Sequence, residues 1–396
     1  MKKILSHITA LSLYNGQAYA AYNLNLPTPA TPIALQIYDL HNLILIVCLF
    51  IFILVFVFMF YALFKHRKST GHQAVQFHNN TKLEIVWTII PFFILIGIAF
   101  PTTKTVLAMK NVEHADMNIK ATGHQWVWEY EYLGEGVNFI SNLSTTQDQI
   151  NNKVVKGPHY LLEVDKPLVV PTGKKIRILL TSTDVIHSWW LPEFGVKQDA
   201  VPGFIHEVWF QVDKPGIYRG QCAELCGIGH GYMPIVVEAM PPEQYTGWLQ
   251  VQKATLAEAA TTGAKIYTLD ELKTEGEKVY LSRCAICHQA NGLGVAGVFP
   301  SLVEGSAFSA APEVTSPLAK RGFWKDGKIV MGTKNEHLDI VMHGIPGTAM
   351  QGIGLQLTDL EVAAVVSYER NSWGNTTGDV VQPAEAAAIR KKGAPS

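Results

Sequence analysis

The stretch QCAELCGIGHGYM, residues 221–233, packs two cysteines, a histidine and a methionine into one short run. Cys222 and Cys226 are four apart, His230 follows four later, and Met233 closes the set. Thiolate, imidazole and thioether are soft or borderline donors, the kind that favours copper over hard cations. A second imidazole, His187, stands upstream in DVIHSWWLPEF between two apparent strands. A β-sandwich that offers one histidine from an upstream strand end, and Cys, His and Met from a late loop, is how single-copper electron-transfer sites are assembled. Here there is one thiolate more than such a site uses, which a pair of coppers bridged by both thiolates would employ. A disulfide between Cys222 and Cys226, or a structural zinc on two cysteines and two histidines, uses the same residues. The stretch by itself leaves all three open.

Its flanks match the sandwich. From Met117 to Met240 the runs NIKATGHQWVWEYEY, HYLLEVDKPLVVPTGKKIRILLTST, HEVWFQV and GIYRGQC are punctuated by Pro-Gly and Pro-Thr-Gly turns, predicting an all-β domain over 116–241. Further out, Leu43 to Phe64 carries no charge and is long enough to cross a hydrocarbon core, which takes about 20 helical residues. A second apolar run, IVWTIIPFFILIGIAFPTTKTVL, contains Pro91, which membrane helices tolerate. Together they predict a transmembrane hairpin over 37–108, with helices at about 40–66 and 83–108. Lys65, Arg67, Lys68 and Lys82 crowd the loop between them, which places it in the cytoplasm and everything after about residue 108 outside. Lys2 and Lys3, a modest apolar stretch and AYAA predict a signal peptide over 1–20. The apolar excess of the composition, 48% against 16% charged, is thus concentrated in the hairpin, and a net charge of −1 gives no basic surplus for nucleic acid.

Beyond the β region the text changes. Residues 242–274 are Ala- and Thr-rich with a short helical stretch and predict a linker, 275–375 read as helices with Gly-rich loops, and 376–396 as a disordered tail. Within the helical part lies CAICH, Cys284 to His288. This is the covalent haem attachment pattern: two thiols form thioethers with the haem and the adjacent histidine becomes an axial iron ligand. No second cysteine pair remains to complete a zinc site, since the fifth cysteine, Cys48, lies in the first membrane helix. Met350, in GIPGTAMQGIG, is the candidate sixth ligand; Met331, Met342 and a bis-histidine arrangement with His343 compete with it.

In order along the chain, GHQWVWEYEY, DVIHSWWLP, CAELCGIGHGYMPIVVEA, CAICH and YERNSWGN resemble subunit II of the haem-copper cytochrome c oxidases, in the form that carries a fused cytochrome c domain. The resemblance runs from the hairpin to about residue 375. It implies a multidomain membrane protein: a two-helix hairpin, an all-β cupredoxin-like sandwich and an all-α cytochrome c-like domain. It also implies a dinuclear centre, CuA, on His187, Cys222, Cys226, His230 and Met233 with the backbone carbonyl of Glu224, whose side chain would reach a magnesium ion shared with subunit I. Trp126 resembles the tryptophan through which electrons enter CuA, whereas neighbouring Trp128 reads as core. Glu84 matches a carboxylate near the entry of a proton path, a position that also suits helix capping. The loop CGIGHGYM departs from the family's more usual CGRNHAFM without altering a ligand spacing, and Val127 stands where tyrosine is usual.

The function so implied is that of an aerobic respiratory oxidase. A soluble c-type cytochrome or similar donor reduces the haem c held by Cys284, Cys287, His288 and Met350; the electron passes to CuA and then to subunit I, where oxygen becomes water. Subunits I and III, the bacterial inner membrane, and an outer, periplasmic placement of both redox domains are the expected surroundings. Glu129, Glu131 and Asp184 are candidate guides for a basic donor. The alternative is an electron-transfer subunit of another terminal reductase, such as a nitric oxide reductase.

Overall fold

The computed structural model describes residues 25–67, 69, 71, 78–261 and 265–392. The expected signal peptide therefore lies outside the described residues. Two compact units result: 1–105 with 192–195, and 106–191 with 196–396.

In the first unit, helix α1 runs from Pro32 to Lys65, and α2, Thr81–Met109, starts there. α1 begins eight residues before the expected position. Thr31 is the reason: its hydroxyl accepts the Ala34 N–H at 3.0 Å and donates to the Phe194 carbonyl at 2.8 Å, and Pro32 follows it at the first helical position. Both helices are long and apolar enough to cross a membrane. Their central side chains, such as Phe58 and Phe93, expose about two thirds of their surface, the surface that hydrocarbon would cover.

The second unit opens with two five-stranded sheets. One has the order β3-β2-β1-β5-β8, with β1 Met117–His124, β2 Val127–Tyr132, β3 Val137–Ser141, β5 Lys175–Ser182 and β8 His206–Gln211. The other has the order β4-β10-β9-β6-β7, with β4 Leu168–Pro171, β6 His187–Leu191, β7 Val196–Ala200, β9 Gly216–Cys222 and β10 Pro234–Met240. β5 alternates buried and half-buried residues along its length, the period-2 pattern of a strand with one face in a core. Trp128, Trp189, Tyr130 and Phe210 fill that core, and Trp189 Nε1 donates to the Tyr130 hydroxyl at 3.2 Å. Trp128 is fully buried, as a core residue should be.

The segment expected as linker is largely helix. α3, Pro242–Thr261, buries Tyr245 and packs Trp248 on Tyr132, ring centroids 5.4 Å apart, while Lys253 pairs with Glu135 at 2.6 Å. Its first turns belong to the sandwich. The C-terminal helices follow: α4 Leu269–Val279, α5 Pro312–Lys320, α6 Lys334–His343, α7 Asp359–Arg370 and α8 Pro383–Lys392. α4 crosses α7 at Gly276, where a Cβ would lie 2.1 Å from the Ala364 carbonyl oxygen, so only glycine permits the approach. The expected disordered tail is folded over its described residues, 376–392: Val381 and Ala386 are fully buried, Arg390 pairs with Asp359 at 2.8 Å, and the Gln382 side chain bonds both backbone groups of Tyr267 at 2.9 Å.

Candidate metal centre and haem cavity

Three loops at one end of the sandwich converge. β6 starts at His187, β9 ends at Cys222, and the loop 223–233 returns to β10. The Sγ atoms of Cys222 and Cys226 are 3.9 Å apart, far beyond the roughly 2.05 Å of a disulfide, and both cysteines are free. Cys226 Sγ lies 3.5 Å from His230 Nδ1 and 3.6 Å from Met233 Sδ, and Cys222 Sγ lies 3.4 Å from the Glu224 carbonyl oxygen. The donor atoms of His187, Cys222 and Cys226 fall within 4.8 Å of one another.

The surroundings leave these donors available to a metal. His187 is fully buried; Asp184 Oδ1 holds its Nε2 at 2.8 Å, and its Nδ1 is buried with no hydrogen-bond partner. An orphaned buried nitrogen beside two thiols is costly unless something binds it. The Cys222 thiol is pushed down, first by the hydrogen bond from Cys226, then against burial by His187 and by the backbone of Ser188 and Glu224. One thiolate is therefore ready to ligate. The soft donor set and the spare nitrogen fit copper.

Asp184 has a role that its sequence position only hints at. Burial raises its carboxyl, but hydrogen bonds from His187, Val185 N–H and Gln125 N–H outweigh this and hold it low. It holds the His187 imidazole in place. Of the other two acidic residues expected to steer one, Glu129 pairs with His124 at 3.2 Å and Glu131 with Lys120 at 3.6 Å. Three residues before His187 on a tight turn, Asp184 stands at a spacing that could have flagged it.

Trp126 Nε1 and Gln125 Nε2 both donate to the Cys226 carbonyl, at 3.1 and 2.7 Å. The indole lies flat on the loop, because a Cβ on Gly229 would come within 2.2 Å of it. Gly229, with no Cβ, leaves the room that the Trp126 indole occupies. Glu224 is exposed on the same loop. Glu84, in the first turn of α2, reaches back to the Asn80 N–H at 3.4 Å, which caps that helix.

The helical part and loops of the sandwich together line a cavity of about 1030 Å³. Cys284, Cys287, His288 and Met350 line it, and so does Trp126. His288 Nδ1 donates to the Pro300 carbonyl at 2.9 Å, which fixes the ring and leaves Nε2 for another partner; burial lowers its basicity. Of the competing ligands, Met342 packs in the apolar core, and His343 Nδ1 is tied to Asp339 at 2.8 Å and does not line the cavity. Met331 does line it, with the Arg370 guanidinium 3.9 Å from its sulfur. Two thiols, an imidazole and a thioether around a hollow of this size fit a covalently attached haem. From the cytochrome side, Gln356 Nε2 donates to the Gln125 carbonyl at 3.1 Å.

Fold and site together define a membrane-anchored cupredoxin joined to a c-type cytochrome. Comparison with known proteins agrees. The family model for the periplasmic domain of cytochrome c oxidase subunit II matches residues 117–240, that for its transmembrane domain 19–105, and that for cytochrome c 274–373. Cytochrome c oxidase subunit 2 of Cereibacter sphaeroides is 38% identical over 234 residues, covering 56% of this chain and 77% of that one. The same subunit of Cyanidium caldarium is 38% identical over 225 residues, covering 56% and 88%. Among solved structures, the periplasmic domain of subunit II from Bradyrhizobium japonicum is 42% identical, spans 36% of this chain and 98% of that one, and has a TM-score of 0.33. The chain belongs to the cytochrome c oxidase subunit II family and carries a cytochrome c domain at its C-terminal side.

Proposed function

We propose that this chain relays electrons within a respiratory oxidase of the bacterial inner membrane, from a soluble c-type cytochrome, through its own cytochrome and cupredoxin domains, to subunit I, where oxygen is reduced. The observation that carries this reading is the shared wall: Trp126 lines the same cavity as Cys284, His288 and Met350 while its indole hydrogen-bonds the Cys226 carbonyl.

When bound, the haem and the copper pair each supply a one-electron relay. The rest is the work of this chain's residues. Cys284 and Cys287 would tether the haem and His288 and Met350 would ligate it, with the Pro300 carbonyl fixing the imidazole. His187, Cys222, Cys226, His230, Met233 and the Glu224 carbonyl hold copper, with Asp184 fixing His187. Trp126 is the contact between the two centres, positioned by Gly229 and Gln125. Docking the cytochrome domain on the same chain replaces a bimolecular encounter by one at an effective concentration on the order of millimolar. The exposed Glu224 carboxylate offers a magnesium ligand toward subunit I, and Glu84 a carboxylate at the cytoplasmic edge; the oxidase is expected to include subunit III as well.

The test uses the complex purified through this chain. It should consume oxygen with reduced cytochrome c, and haem reoxidation after rapid reduction should slow by at least about tenfold in Trp126→Leu, with copper content unchanged. Reoxidation at the wild-type rate in that variant would remove Trp126 from the path.

A further inference from the structure

One buried pair in the cavity wall has no part in holding haem or copper. His337 and Glu369 are 5% and 3% exposed, and His337 Nε2 lies 2.8 Å from Glu369 Oε2. Both line the cavity. Phe323 stands edge-on to the imidazole, centroids 5.4 Å apart, and closes it off from water. A glutamate this deep is unusual in a core unless a cation neutralises it. The adjacent Arg370 does not: its guanidinium is taken by Asp379 at 2.8 and 2.6 Å and by the Gly332 carbonyl at 2.9 Å. Among the described residues the one ion-pair partner of Glu369 is His337. His337 Nδ1 is buried and has no acceptor. With its proton on Nε2 the ring donates to the carboxylate and leaves Nδ1 bare. The pair then keeps one net negative charge. That charge sits beside Cys284, whose thiol is driven well up by burial and next by Glu369.

We propose that Glu369, held in place by His337, is a positioning charge that lowers the reduction potential of the haem in this cavity, favouring its oxidised form and making transfer toward the copper site downhill. The inference rests on the cavity holding the haem. A buried carboxylate at the thioether edge stabilises the extra positive charge of the oxidised iron through a medium of low dielectric. The same attraction offsets the cost of burying the carboxylate.

The experiment is a spectroscopic redox titration of the haem in the full-length purified chain. Glu369→Gln and His337→Leu should both raise the midpoint potential, by on the order of a tenfold change in the oxidised-to-reduced ratio at fixed potential, about 59 mV for one electron. His337→Gln keeps an amide donor for Glu369 and should stay near the wild-type value. Glu277→Gln, exposed on α4, is the control. A purely structural pair would lower thermal stability in these variants while leaving their potentials within the spread set by Glu277→Gln, and that outcome overturns the proposal. Should Glu369→Gln fail to mature, the contrast between His337→Leu and His337→Gln decides alone. Covalent haem staining on a denaturing gel reads the underlying assignment separately: its absence from the wild-type chain would refute the haem cavity itself.

Discussion

The sandwich and the cytochrome part treat their cofactors in opposite ways. In the sandwich the core is packed by protein side chains, with Trp128, Trp189, Tyr130 and Phe210 fully buried, and the thiols and imidazoles sit at strand ends and on one loop at its end. In the cytochrome part a hollow, walled on one side by sandwich residues such as Trp126, lies beside apolar side chains that fall into two clusters. The copper-type donors stand at the end of a fold with its own packed core, whereas the haem-type donors line a hollow that a cofactor would fill. The difference teaches where stability should follow the cofactor and where only electron transfer should.

The sharpest way to break this contrast is to block haem attachment. Cys284→Ser with Cys287→Ser should abolish amide hydrogen-exchange protection across 265–392 and leave that of 117–240 intact, since binding to the native state alone adds stability by mass action. Equal loss in both regions would contradict the comparison. Next in size, Cys226→Ser should remove the paired copper and stop electron delivery, yet the thermal unfolding of the metal-free sandwich should move by no more than about 1 kcal/mol. Gly229→Ala probes the seam between the two parts. With a Cβ 2.2 Å from the indole, Trp126 must move, at about 1–3 kcal/mol of overpacking, and haem reoxidation should slow while both cofactors stay bound.

The smallest effect is a pH dependence confined to the cytochrome part. Burial raises the Asp339 carboxyl, but hydrogen bonds from Arg321 and His343 bring it below its usual range. A carboxylate so lowered adds stability above its ordinary pKa, and that stability is lost as pH falls through the native value. Asp339→Asn should flatten the acid limb of the unfolding curve by under about 1 kcal/mol, the scale of a partly exposed pair.

Much of this was legible because it is local. The CxxxC loop with its trailing histidine and methionine, the CAICH motif and the uncharged run Leu43–Phe64 each carry their chemistry in adjacent residues. What escaped depends on contacts distant in sequence. α3 looks like a linker because only Tyr245 and Trp248 mark its packed face. α8 looks like a tail because its anchors are Asp359 and Tyr267, far back in the chain. Nothing local to Gly229 shows that the Trp126 indole, about 100 residues earlier, lies on it. The His337–Glu369 pair spans 32 positions and has no motif at all.

Electron paramagnetic resonance of the oxidised, copper-loaded full-length chain tests the central claim most directly. Two equivalent copper nuclei sharing one unpaired electron would show Cys222 and Cys226 bridging a pair, an arrangement that the 3.9 Å sulfur separation and the spare His187 nitrogen fit. A single-copper pattern, or haem signals alone, would contradict it.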